Sequence, residues 1–266
     1  MNPTPAAPAR TRAPAWARLG AALLGCLLAT ALRAETVLVA VAANFQGPLQ
    51  ALALGFERET GHTISASFGA TGKFHAQIRS GAPFQILLAA DALTPELLER
   101  EHRVVPGTRF TYAIGRLALW SARPDLIDGR PAVLQRGEFK HLAIANPKLA
   151  PYGAAALQVL GKLGLRERLA AKLVQGESIA QAYQFVASGN AELGFVALAQ
   201  IMRDGQIGPG SAWLVPPAMH DPIRQDAVLL LPGRDRPAAL ALLRYLQGDA
   251  ARALIQAHGY GLGTGP

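Results

Sequence analysis

The chain has 266 residues, of which 50% are hydrophobic, and a formal net charge of +8. This length and composition suffice for a large core in one or two domains. The sequence contains no cluster of lysine and arginine with interleaved aromatic residues, which argues against a nucleic-acid-binding protein.

Residues 1–34 have the layout of a secretory signal peptide. Three arginines precede an apolar run from Leu19 to Leu32, and small residues offer cleavage after Ala31 or after Ala34. The run is too short to span a bilayer, and no later stretch of the sequence is long and apolar enough to do so. We therefore expect an exported, periplasmic protein without a transmembrane segment.

Removal of this leader changes both the charge and the cysteine content. Four of the 26 basic residues lie in it, which leaves 22 basic against 18 acidic residues, a net of +4. The only cysteine, Cys26, also lies there, so the mature chain would have no disulfide. The segment Leu23–Cys26 weakly resembles a lipoprotein box, but the apolar run continues beyond it. We expect ordinary cleavage without lipid anchoring at Cys26.

From Thr36 onward, short apolar strands alternate with helices. The pattern predicts strands at 36–42, 62–68, 84–90, 116–122, 141–147, 172–178, 193–199 and 224–233. It predicts helices at 48–59, 72–80, 94–102, 152–164 and 179–189, and one or two within 237–259. The third helix is expected to have Thr94 as N-cap and Pro95 as its first residue, and a loop-rich stretch is expected up to Lys140.

Repeated strand–helix–strand units with continuous apolar strands indicate parallel sheets covered by helices on both faces. We expect an α/β fold of two doubly wound lobes, joined by two crossover strands near 113–120 and 224–231, with a cleft between them. The first lobe would take residues 35–114 and 226–266, and the second lobe residues 115–225.

The carboxyl ends of the predicted strands share an unusual chemistry. Ligands of doubly wound sheets bind at these ends, which here are Ala43-Asn44, Ala70-Thr71-Gly72, Pro147–Tyr152, Ser178-Ile179 and Ala197. All but the last lead into a predicted helix start, where unpaired N–H groups and a partial positive charge favour anions. Because these strand ends carry no carboxylate, together they predict a binding site in which neutral donors hold a fully ionised oxyanion.

Each of these residues also has a structural interpretation. Thr71 and Asn44 can cap helices, Tyr152 can pack in a core, and Ile179 can offer a ligand only its backbone N–H. Lys73, early in its helix, is expected to face solvent, where it could steer an anion inward.

Enzymatic function is disfavoured by what the sequence lacks. It contains no nucleophile–base spacing of a hydrolase, no phosphate loop and no metal-ligand spacing among its histidines. A sensor domain of a transcription factor is a further alternative, against which the leader and the absence of a DNA-binding segment before the first strand both argue.

An ordered set of segments resembles the molybdate-binding periplasmic component of molybdate ABC transporters. These segments are VAVAANF, SFGATGKFHAQIRSGAPFQILLAAD, GRLALWS, ANPKLAPYGAAALQVL, ASGNAELGFVALAQI and PIRQDAVLL. The resemblance covers nearly the whole chain from Thr36. It implies a type II periplasmic binding protein that captures molybdate, and also tungstate, and passes it to a membrane permease with a cytoplasmic ATPase.

The resemblance also implies which residues bind the oxyanion. By position they are Ala43, Asn44, Thr71, Tyr152 and Ile179, which contact the oxygens of molybdate rather than coordinate a metal ion. No catalytic residue, no cofactor and no nucleic-acid partner is implied, and we expect a monomer. A binding protein of the same fold for another tetrahedral oxyanion or a small organic anion is the alternative.

Two positions depart from the family pattern. Ala197 stands where some members have a ligand-binding tyrosine, so Tyr152 is expected to supply a hydroxyl from the opposite side. Gln85 stands where the family commonly has an acid, and we expect it to alter packing or a hydrogen bond at a strand end rather than the anion site.

Overall fold

A computed structural model describes residues 34–203 and 205–263. The described residues from Glu35 onward belong to one compact unit. The predicted leader up to residue 33, with Cys26, lies outside the described residues. Among the described helices, none combines the length and the apolar character needed to cross a membrane.

Strands and helices alternate along the described chain. The strands are β1 (Thr36–Ala42), β2 (Thr63–Gly69), β3 (Ile86–Leu88), β4 (Phe110–Gly115), β5 (Leu117–Ser121), β6 (Leu142–Ala145), β7 (Leu173–Gly176), β8 (Leu193–Ala197), β9 (Met202–Arg203), β10 (Gln206–Ile207), β11 (Ser211–Leu214) and β12 (Ile223–Leu229). The α-helices are α1 (Gln46–Thr60), α2 (Thr71–Arg79), α3 (Leu93–Arg100), α4 (Ala132–Arg136), α5 (Pro151–Lys162), α6 (Arg166–Leu169), α7 (Ile179–Ala187), α8 (Leu198–Ile201), α9 (Pro237–Gln247) and α10 (Asp249–Ala257). Single 3₁₀ turns lie at Ala43–Phe45, Ala170–Lys172, Pro217–Met219 and Leu231–Gly233.

The strands form two five-stranded sheets, in the orders β2-β1-β3-β12-β4 and β11-β5-β8-β6-β7. The two-lobed α/β architecture predicted from the sequence is confirmed. The chain passes from the first sheet to the second between β4 and β5, which only Arg116 separates. It returns between β11 and β12, and β12 pairs with the first sheet from Ile223 onward.

The sheets are mixed rather than purely parallel, which corrects the simple βαβ expectation. Strands β1, β2 and β3 are parallel, and so are β6, β7 and β8, but β12 and β5 run antiparallel to their neighbours. The reason is the crossover itself. Each of these two strands enters its sheet from the other lobe, at the edge where the parallel strands end, and must therefore run the opposite way.

Helices cover both faces of the first sheet, as alternating side chains on β1 show. Val37, Val39 and Val41 pack with residues of α1, α9 and α10, whereas Ala40 packs on the other face with residues of α2 and α3. All four are fully buried. Continuous apolar strands of this kind are expected where a sheet is buried on both sides.

A glycine marks the C-terminal end of α1, whereas the N-cap predicted for α3 is wrong. Gly61, in the left-handed conformation with φ 72°, closes α1 and donates its N–H to Glu57 O at 2.8 Å. In contrast, Thr94 is not the N-cap of α3, which begins at Leu93. The carboxylate of Asp91 accepts from the Thr94 N–H at 2.7 Å and satisfies this helix end instead.

Several elements were not predicted. Helix α4 lies in the stretch assigned to loops, and β11 adds an antiparallel edge strand beside β5. Both are short, with five and four residues respectively. Short elements give too few residues for a periodic pattern to be visible in a sequence.

Two glycines of α5 give a matched test of packing. A Cβ on Gly153 would lie 2.1 Å from Ala145 O at the end of β6, whereas a Cβ on Gly161 would meet no atom within 4 Å. We expect Gly153→Ala to lower the free energy of unfolding by ~1–3 kcal/mol through overpacking. Gly161→Ala should raise it by ~0.5–1 kcal/mol through helix propensity. Urea denaturation of both variants measures the difference, and equal effects would contradict the close approach of α5 to β6.

Candidate functional site

A small cavity lies between the two lobes at the carboxyl ends of the parallel strands. The empty space among its lining residues, including the part open to solvent, is about 200 Å³. Its lining residues from the first lobe are Ala42, Ala43, Asn44, Gly69, Ala70, Thr71 and Ala90, and those from the second are Ala150, Pro151, Tyr152 and Ile179. The structure thus brings together all five residues proposed from the sequence, and the described lining includes no charged side chain.

Helix starts surround this cavity. Thr71 and Ile179 are the first residues of α2 and α7, Tyr152 follows Pro151 in the first turn of α5, and Ala43 begins a 3₁₀ turn. The first N–H groups of a helix have no partner within the helix, and the helix dipole places a partial positive charge there. Several such ends around one cavity make a site for an anion that needs no lysine or arginine.

The Thr71 hydroxyl is held in a defined role. Its Oγ1 accepts a hydrogen bond from the Ala90 N–H at 2.9 Å, and the residue is almost fully buried. Because the oxygen already accepts from the backbone, its own O–H is left to donate into the cavity. The bond also ties the start of α2 to the end of β3.

Tyr152 is arranged in the same way. Its phenol oxygen accepts from Gln225 Nε2 at 3.0 Å, and only 1% of the residue is exposed. Burial, followed by the neighbouring Tyr260, raises the pKa of the Tyr152 phenol well above its ordinary value. The phenol therefore keeps its proton at neutral pH and can act as a donor to an anion.

The Asn44 side chain is part of the wall behind the cavity. Its Nδ2 donates to Gln225 Oε1 at 2.8 Å and to Tyr260 Oη at 3.0 Å, and Tyr260 in turn donates to Asn44 O at 2.8 Å. Among the described residues, the buried Asn44 Oδ1 has no hydrogen-bond partner. The amide nitrogen of Asn44 is thus engaged by protein atoms on two sides.

Two contacts join the lobes at the edge of the cavity. Gly72 N–H donates to Leu149 O at 3.0 Å, and Lys73 Nζ lies 2.5 Å from Glu177 Oε1. Both side chains of the ion pair are about half exposed. Lys73 faces solvent, as expected from the sequence, and it forms an ion pair with a carboxylate of the opposite lobe.

A family model described as bacterial extracellular solute-binding protein matches residues 37–261. The chain belongs to the bacterial extracellular solute-binding protein family. Two relatives of this solute-binding protein are the molybdate-binding proteins ModA of Azotobacter vinelandii and of Rhodobacter capsulatus. The first is 59% identical over 245 residues, covering 92% of this chain and 97% of the relative. The second is 47% identical over 252 residues, covering 94% and 98%.

The solved structure of the periplasmic molybdate-binding protein of Azotobacter vinelandii has the same fold. It superimposes on the solute-binding protein with a TM-score of 0.84 at 43% identity, covering 86% of this chain and 100% of that chain.

The two departures from the family pattern have different outcomes. Gln85 makes a hydrogen bond between strands, as expected, because its Oε1 accepts from the Leu38 N–H at 3.3 Å. Gln85 does not line the cavity. Ala197 is buried at the start of α8 and is not part of the cavity lining, whereas Tyr152 is.

Sequence reasoning missed the polar layer beneath the cavity of the solute-binding protein. Gln225, Tyr112 and Tyr260 are buried and hydrogen-bonded there, yet none stands at a predicted strand end or helix start. A signal was present for one of them. Gln225 and Asp226 stand at the start of a strand that is apolar from Ala227 onward, and buried polar side chains are retained where they have hydrogen-bond partners.

The buried phenols predict an alkaline instability. Burial raises the pKa of Tyr112, Tyr152 and Tyr260 in the folded protein, whereas the unfolded chain releases these protons near pH 10. Above that pH the unfolded state binds fewer protons, so stability falls by up to ~1.4 kcal/mol per pH unit for each phenol. Below pH ~10 the three protonated phenols make their full contribution to the free energy of unfolding.

Thermal unfolding followed between pH ~8 and ~11 measures this fall. Tyr152→Phe removes one of the three groups, so its melting temperature should decline less steeply than that of the parent. Native phenols that all titrate near pH 10 by absorbance at the phenolate band would contradict the prediction.

Proposed function

We propose that this protein captures molybdate between its two lobes and delivers it to the permease of an ABC transporter driven by a cytoplasmic ATPase. It acts in the periplasm as a monomer, after removal of the leader. Binding occurs without turnover of the ligand and without a cofactor.

The observation that carries this proposal is the cavity between the lobes, which is lined by neutral donors at helix starts. Molybdate at neutral pH is a tetrahedral dianion whose four oxygens can only accept hydrogen bonds. The hydroxyls of Thr71 and Tyr152 and the N–H groups at the starts of α2 and α7 are donors on both sides of such an ion. The names of the two relatives favour molybdate over other oxyanions.

Selectivity against sulfate follows from size, because the two anions have the same charge and shape. Donors fixed on two rigid lobes meet the larger ion at hydrogen-bonding distance. A smaller ion leaves some of these buried donors unpaired, at ~1–3 kcal/mol each. Tungstate is closely similar to molybdate in size and charge, so it should bind to the same site.

Capture requires that the lobes open and close around the crossing strands. Hinge motion of two domains about short connections is a common way to enclose a ligand. Here the connections are Arg116 between β4 and β5 and the segment between β11 and β12. The contacts Gly72–Leu149 and Lys73–Glu177 would be made on closure and broken on opening.

Isothermal titration of the purified, ligand-stripped mature chain tests the proposal. We expect one molybdate per chain, bound tightly, and no displacement by excess sulfate or phosphate. Tight sulfate binding with weak molybdate binding would retain the two-lobed binding protein and overturn the choice of anion. A folded chain that binds none of the three would overturn oxyanion capture.

Thr71 gives a matched pair of variants for the same titration. Thr71→Val keeps the shape but removes the hydroxyl, so the Ala90 N–H and one ligand oxygen both lose a partner. We expect molybdate affinity to fall by ~10-fold or more. Thr71→Ser keeps the hydroxyl and should remain close to the parent. Equal affinity of both variants would remove the Thr71 hydroxyl from the site.

A further inference from the structure

Gln225 occupies a central position that the proposed site does not explain. It lies on β12, one of the strands that enter a sheet from the opposite lobe, and it is fully buried. The pairing of β12 with β4 shifts between Gln225 and Asp226, so Tyr112 on β4 has no paired residue opposite it. Such irregularities re-aim side chains and are frequent next to functional sites.

Both the oxygen and the nitrogen of the Gln225 side-chain amide form hydrogen bonds. Its Oε1 lies 2.8 Å from Asn44 Nδ2 and 3.1 Å from the Tyr112 hydroxyl, and its Nε2 lies 3.0 Å from the Tyr152 hydroxyl. The amide therefore connects a cavity-lining residue of the first lobe with one of the second lobe.

The surroundings decide which way this amide faces. Tyr260 gives its only proton to the backbone carbonyl of Asn44, so its phenol oxygen accepts from the NH₂ group of the Asn44 side chain. The same NH₂ group lies 2.8 Å from Gln225, so the Gln225 atom that faces Asn44 is an oxygen, and the Gln225 NH₂ faces Tyr152. The one proton of Tyr112 lies between two acceptors, this oxygen and the carbonyl of Ala89. A phenol oxygen that accepts from this NH₂ has its proton free for another partner.

We propose that Gln225 is a positioning residue of the anion site, which sets the Tyr152 phenol as a donor to the ligand and holds Asn44 in place. The proposal rests on the proposed function, since it concerns the same bound oxyanion. Gln225 does not line the cavity and acts only through its neighbours.

The absence of a side chain at Gly115 leaves room for the contact between Gln225 and Tyr152. A Cβ at Gly115 would lie 2.3 Å from Tyr152 Oη and 2.6 Å from Gln225 Nε2. Gly115 ends β4 and pairs with Ile223 at the start of β12. The Gln225–Tyr152 contact therefore lies directly against both connections between the lobes.

Two substitutions separate positioning from general stability. Gln225→Glu is isosteric, but its carboxylate can only accept, so it takes the Tyr152 proton away from the ligand and adds a negative charge. Protonation of this glutamate restores a neutral donor. Gln225→Met keeps the approximate volume and removes both hydrogen-bonding ends. Gln256→Glu, on the exposed face of α10, is the control for the added charge alone.

The measurement is molybdate titration between pH ~6 and ~8.5, together with the tyrosine near-ultraviolet difference spectrum on binding. We expect Gln225→Glu to lose at least ~10-fold in affinity at the upper pH and to recover as pH falls, since burial raises a carboxyl pKa into this range. Gln225→Met should lose ~10-fold or more at every pH and show a reduced tyrosine signal. Gln256→Glu should match the parent.

The other titratable groups around Gln225 are the phenols of Tyr112, Tyr152 and Tyr260, whose pKa values burial raises. The carboxylates of Asp91 and Asp226 act on Tyr112. The parent, titrated over the same pH range, corrects for all of them.

Parent-like affinity, pH profile and tyrosine signal in folded Gln225→Met would overturn the positioning role. If that variant does not fold, the pH series of Gln225→Glu decides alone, because a pH-independent affinity contradicts the proposal. Failure of the parent to bind molybdate would instead contradict the proposed function, so the two failures are distinguishable.

Discussion

The structure depends on one constraint, that a charge enclosed without a counter-ion must be met by hydrogen-bond donors on all sides. The described cavity lining offers no charged side chain, so the donors come from helix starts and from two hydroxyl groups. Parallel strands make this possible, because they all end at the same edge of a sheet and each is followed by a helix. Two lobes that face each other across a cleft double the number of such ends.

A hydroxyl is both donor and acceptor, and a protein donor on its acceptor side leaves its proton to point toward an anion. At Thr71 the Ala90 N–H fills that side, and at Tyr152 the Gln225 amide does. The protein groups behind the cavity thereby determine what the cavity surface presents. The same layer links the first lobe to the second through buried bonds that span more than 70 residues of sequence.

The sequence predicted what is local and periodic. Strand ends and helix starts at Asn44, Thr71, Tyr152 and Ile179 follow from apolar runs, proline and small residues, and these residues do line one cavity. It could not predict what depends on three-dimensional proximity. The Lys73–Glu177 pair and the Gln225 contacts join residues far apart in the chain, and no spacing rule connects them. The direction of β5 and β12 likewise depends on where the chain crosses between lobes.

The contacts at the edge of the cavity have a consequence of their own. Gly72–Leu149 and Lys73–Glu177 join the lobes, yet neither Leu149 nor the ion pair lines the cavity. In the proposed closure they therefore contribute the same free energy around any ligand, and they would raise the fraction of empty molecules that are already closed. Apparent affinity scales with that fraction for every ligand equally. Ligand discrimination depends on the cavity-lining residues. Substitutions at the contacts between the lobes can therefore change the affinity for every ligand without changing which ligand is preferred.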